Sequence, residues 1–122
     1  MEFKVWKTII CDKNCVLERI TQDENGKLSI HIKHSEQDLF ELNVVPEIFE
    51  VGSEQHYFGF WEKLNTQNMN KPLTTLIVKN SEWIDQFSYV RDNKMDFKHY
   101  LIIGIDKVVS LISELEPIIK KK

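Results

Sequence analysis

The chain is poor in the residues that carry covalent, metal and phosphate chemistry. Of its 122 residues only two are cysteine (Cys11 and Cys15), two are arginine (Arg19 and Arg91), four are glycine and three are proline. Four glycines supply no phosphate-cradling loop of the P-loop or dinucleotide type, and no serine or cysteine sits in a glycine-flanked elbow. Two arginines and a net charge of -3 argue against a sequence-independent grip on nucleic acid, which lysine and arginine drive. No apolar run approaches the roughly 18 residues of a membrane span. The first residues, "MEFKVWKTII", put Glu2 where a secretory leader carries basic charge and offer no small-residue cleavage site. A cytoplasmic protein with reduced thiols is therefore expected.

What is present is ordinary globular material, with 42% hydrophobic and 29% charged residues. One domain spanning residues 1–122 can bury a core without metal or disulfide. Residues 3–10 are rich in β-branched and aromatic types and read as a strand. Residues 15–22 and 27–34 flank "DENG", where Asn25-Gly26 suits the left-handed backbone of a hairpin turn. Residues 38–45 alternate Phe40, Leu42 and Val44 against Glu41 and Asn43 until Pro46 removes a backbone donor. "HYFGFWEKLN" is ambiguous between strand and short helix, "TQNMNKP" is a polar connection, and residues 73–79 return to strand composition. Trp83, Ile84, Phe87 and Val90 then fall at helical spacing, with Asn80 or Ser81 as cap, which predicts a helix over 81–91. Residues 97–105 are apolar on both faces, as in a central strand. The stretch 106–116 fits helix or strand equally. Lys120, Lys121 and Lys122 read as a frayed tail, and setting them aside lowers the balance from -3 to -6. The fold class expected is α+β, mainly antiparallel β-sheet with one or two packed α-helices.

Cys11, Cys15, His31 and His34 give C-x3-C and H-x2-H, which approaches zinc-finger spacing. Strand alternation opposes it, because His34 would share a face with Leu28, Ile30 and Ile32 while His31 lies on the other, so the imidazoles cannot close one tetrahedron. The cysteines are read as ordinary thiols, with no metal site, no cofactor and no catalytic residue assigned. Another feature stands out. Residues 34–62 hold seven carboxylates (Glu36, Asp38, Glu41, Glu47, Glu50, Glu54 and Glu62) and no lysine or arginine, with six aromatic residues interleaved. An anionic surface with aromatic anchors suits a basic protein partner. Glu41, Glu47, Glu50, Glu54, Trp61 and Glu62 are the candidate partner-binding residues, Trp61 as the desolvated anchor.

The C-terminal half, "LIVKNSEWIDQF … DFKHYLIIGIDKVVSLISELEPII", resembles small bacterial proteins with a strand, an S-x-W-I-x-x-F helix, a K-H-Y-L-I strand, an Asp and an S-x-x-E-P-x-I ending. Trp83, Ile84, Phe87, His99, Tyr100, Asp106 and Pro117 carry the likeness over the last fifty or so residues. In size and acidity these proteins are similar to immunity proteins of polymorphic toxin and contact-dependent growth inhibition systems. The resemblance implies a non-enzymatic protein that neutralises a cognate toxin domain, a basic nuclease for example, with no nucleic-acid or membrane partner. The residues also allow two other readings: a small enzyme using His99 with a cysteine or carboxylate, and a homo-oligomer subunit joined through an edge strand.

Overall fold

The computed structural model describes residues 2–52, 73–87, 90, 92 and 96–122. The elements with described bounds are β1 (Glu2–Val5), β2 (Val16–Gln22), β3 (Leu28–Ser35), β4 (Asp38–Val44), β5 (Ile48–Gly52), β6 (Thr75–Lys79), α1 (Glu82–Asp85), β7 (Lys98–Ile103), β8 (Val108–Ser113) and β9 (Ile118–Lys121). All described pairings are antiparallel. The strands form a five-stranded sheet, β1-β6-β7-β8-β5, and a four-stranded sheet, β2-β3-β4-β9.

The two sheets share one core. Tyr100, Ile102, Val109 and Leu111 from the five-stranded sheet pack with Leu17, Leu28, Ile30, Ile32, Phe40, Leu42 and Val44 from the four-stranded one. Alternation accounts for this choice of residues, since successive side chains on β7 and β8 point to opposite faces. The opposite face of the larger sheet is also buried: Leu101, Ile103 and Val108 pack with Phe3, Leu76 and Val78, and Ile112 packs with Ile84, Val90 and Phe97. Burial on both faces explains the continuous apolar run of β7, which is central in its sheet as its composition predicts.

The α+β expectation is overturned. Strands hold 55% of the described residues against 6% in helix, with no helix of seven residues or more. The architecture is two antiparallel sheets, not helices packed on one. In the region expected to be helical, Ser81 does cap α1, its Oγ accepting from the Ile84 amide at 3.3 Å. The turn Glu82–Asp85 follows, and Val90 and Asp92 are helical as well among the described residues. Asn80, at φ 53°, makes the sharp exit from β6, a conformation asparagine tolerates better than most residues.

Four further readings change. The first strand stops at Val5 rather than residue 10. The Trp6 amide still donates to the Thr75 carbonyl at 3.1 Å, after which turns closed by Cys11 to Thr8 and Lys13 to Ile10 carry the chain to the other sheet. In the β2–β3 turn Gly26 alone takes positive φ (84°). The Asp23 carboxylate organises the rest, accepting from the Asn25 and Lys27 amides at 2.9 Å each. The segment 106–116, open between helix and strand, contains β8. The terminal lysines do not fray: β9 pairs residues 118–121 with 40–43 of β4. "HYFGFWEKLN" and "TQNMNKP" lie outside the described residues.

Candidate functional site

The acidic stretch 34–62 is divided by the fold. Glu41 lies on β4, on the outward face of the four-stranded sheet, in a cross-strand row of Arg19, His31, Glu41 and Lys120. Its Oε1 is 3.4 Å from His31 Nε2 and its Oε2 accepts from Asn43 Nδ2 at 3.3 Å. Lys122 donates to His31 Nδ1, which leaves Nε2–H directed at Glu41. Lys121 Nζ lies 3.1 Å from Asp38 Oδ1. That hydrogen bond, with one from Ser35, holds the Asp38 carboxyl below its ordinary pKa. Lys33 similarly donates to Glu36 at 2.7 Å and lowers its pKa. Asp38, Glu36 and Glu41 are thus set among cations, two of them supplied by residues remote in sequence.

Glu47 and Glu50 belong to the other sheet. Ile48 packs with Ile84 and Ile112 on its outer side, while Phe49 turns into the shared core. Glu50 follows Ile48 to the outer side and is exposed, opposite Ser110 of β8. Glu47 is exposed too, its amide tied to the Ile112 carbonyl at 2.8 Å. Neither β5, "IFEVG", nor its neighbour β8, "VVSLIS", contains a lysine or arginine. The six candidate residues therefore do not form one described patch: Glu41 is apart from Glu47 and Glu50, and Glu54, Trp61 and Glu62 lie outside the described residues.

A buried polar relay that the sequence did not reveal lies on the same outer side of the larger sheet. His99 is 6% exposed, Ser81 5% and Ser110 4%. Ser81 Oγ is 2.7 Å from His99 Nδ1, and His99 Nε2 is 2.6 Å from Ser110 Oγ. Because Ser81 Oγ already accepts from the Ile84 amide, all groups are satisfied when its hydrogen goes to Nδ1 and Nε2–H goes to Ser110. Trp83 covers the imidazole, its ring centroid 5.2 Å away. Burial pushes the His99 pKa down to about 4, so the ring is neutral at physiological pH. Its hydrogen-bond partners are serines, rather than the cysteine or carboxylate weighed from sequence. Serines 18 residues before and 11 after it give no local signal.

The thiol and imidazole quartet is dispersed. Cys15 is buried, and burial pushes its thiol pKa up; Cys11 is half-buried, and both are free. His34 falls at a register irregularity between Lys33 and Ser35 and is exposed, unlike Leu28, Ile30 and Ile32. Its Nδ1–H donates to the Asn14 carbonyl at 2.7 Å. Among the described residues, no group of three or more His, Cys, Asp or Glu is arranged to hold a metal ion. None of the helices formed by the described residues is long and apolar enough to cross a membrane. Comparison with known protein families, characterised proteins and solved structures finds no match.

Proposed function

We propose that the protein is a cytoplasmic, non-enzymatic immunity protein that captures a basic cognate toxin domain, with the β5 end of the larger sheet as the contact region. The observation that carries this reading is the partition of charge. Strand β9 places Lys121 against Asp38 and Lys120 opposite Glu41. Exposed Glu47 and Glu50 lie just before and on β5, and neither β5 nor its neighbour β8 contains a lysine or arginine in its own sequence. Such a localised negative potential accelerates encounter with a basic surface. The closed His99 relay fits a structural histidine better than a general base, which works best with a pKa near the operating pH.

The test starts from the reading frame immediately upstream of the gene. The reading expects a large secreted protein there, with a toxic C-terminal domain. That domain, expressed alone, should arrest growth, and co-expression of this chain should rescue it through a stable complex. Glu47→Lys with Glu50→Lys should slow association and reduce its salt dependence, whereas Glu41→Gln should change neither. An upstream domain that remains toxic in the presence of the chain refutes the function. Rescue with unchanged association kinetics in the double variant refutes the surface.

A further inference from the structure

Strand β9 forms one edge of the four-stranded sheet, and among the described residues it pairs only with β4. The Lys122 amide donates to the Leu39 carbonyl at 2.8 Å. Opposed residues of an antiparallel ladder alternate between bonded and non-bonded pairs, so Ile118 and Lys120 also turn their backbone groups to β4. Ile119 and Lys121 turn theirs to the open side. This edge runs in unbroken register over residues 118–121, whereas the opposite edge, β2, is interrupted between Leu17 and Arg19. An edge of this kind is a template for a further strand.

The side chains restrict what can be added. Ile119 packs on the core, so its neighbours Ile118 and Lys120 lie on the outward face. Ile118 is 58% exposed, which leaves apolar surface uncovered beside the edge. Lys120 is exposed and in no ion pair among the described residues; Glu41, opposite it, has its oxygens turned to His31 and Asn43. Lys121 and Lys122 reach back to Asp38 and His31. A second copy paired through β9 would bring the lysines of both chains together, which opposes self-association. We infer that the β9 edge accepts an extended acidic segment of a partner protein as an added strand, with an apolar side chain beside Ile118 and a carboxylate beside Lys120. These two partner positions are separated by a single residue, since alternate side chains share a face. The same lysines thus exclude a copy of the chain and select the opposite charge. The site lies on the sheet that does not carry β5 and does not depend on the immunity reading.

The experiment titrates the isotopically labelled full chain with the end-capped peptide TETEVVT and follows the amide chemical shifts. Aligned antiparallel to β9, this probe sets a glutamate beside Lys120 and a valine beside Ile118. It should give saturable shifts, largest at Ile119 and Lys121, whose amides gain acceptors. The lysine counterpart TKTKVVT should give none. The peptide TETEPVT, which keeps the charge but loses the amide directed at Ile119, should also give none. Lys120→Gln should weaken binding of TETEVVT roughly threefold to fivefold, with the remaining amide spectrum in place, and Lys120→Arg should retain it. Absence of saturable binding, equal binding of the lysine or proline peptide, shifts centred away from β9, or an unchanged affinity in Lys120→Gln would each overturn the proposal.

Discussion

Burial of His99 makes acid sensitivity a measurable consequence of the fold. The imidazole pKa falls from 6.5 to about 4 through desolvation. Between these values the unfolded chain binds a proton that the folded chain refuses, so stability rises with pH across the window and is lost as pH falls through it. At 1.36 kcal/mol per unit, the full descent costs about 3 kcal/mol. Other groups act lower. The stability from the lowered pKa values of Asp38 and Glu36 is present above their ordinary values, 3.8 and 4.5, and is lost as pH falls through the folded ones. Urea unfolding of the wild type and His99→Gln across the window isolates the histidine, because every other titrating group is common to both. The variant should be less stable at neutral pH, having lost its fit to Ser81 and Ser110, yet its stability should decline less steeply towards pH 4. Identical slopes, or a His99 titration midpoint near 6.5 by NMR, would refute the reasoning.

Two other perturbations test the packing. A Cβ on Gly104 would lie 2.7 Å from Leu17 Cγ and 3.0 Å from Asp106 Oδ1. Since Leu17 is fully buried, Gly104→Ala should cost about 1–3 kcal/mol by overpacking, and an unchanged urea midpoint would contradict this close approach. Ending the chain at Pro117 removes β9 and the packing of Ile119 on the core; it should cost at least about 1–2 kcal/mol and increase hydrogen exchange at β4. A genuinely frayed tail would leave both unchanged.

The elements legible in the sequence are those specified by their own neighbours. Asn25-Gly26 marks the β2–β3 hairpin, the alternation of Phe40, Leu42 and Val44 marks β4, and the doubly apolar "HYLII" marks a central strand. Elements that depend on distant partners were not legible. "IIKK" has the composition of a solvated basic tail and becomes β9 because β4 presents a free edge. "IFEVG" is five residues long, too short for its alternation to separate it from a loop after Pro46. "WKTII" has strand composition, yet it must turn because the next strands belong to the other sheet. Helical spacing in 81–91 marked Ile84 and Val90 as buried, which they are, but did not specify how far the helix continues. The carboxylates were visible individually, whereas their division between two sheets depends on strand order.

That division changes what net charge means for this protein. Counting along the sequence separates a basic tail from an acidic stretch. Strand pairing instead returns the tail to Asp38 and Glu41, while Glu47 and Glu50 stay with a sheet to which the tail does not pair. Ion pairs at the surface contribute little to stability individually, so the arrangement matters more for the field outside the molecule than for folding. Screening acts over about 10 Å at 0.1 M salt, and charges on one strand affect an approaching partner more than the total of -3 does. Glu41, an equal member of the acidic stretch in sequence, therefore becomes the internal control for Glu47 and Glu50. A basic partner steered by β5 will respond to the latter pair and not to Glu41, whereas one steered only by total charge will respond to all three according to the charge removed.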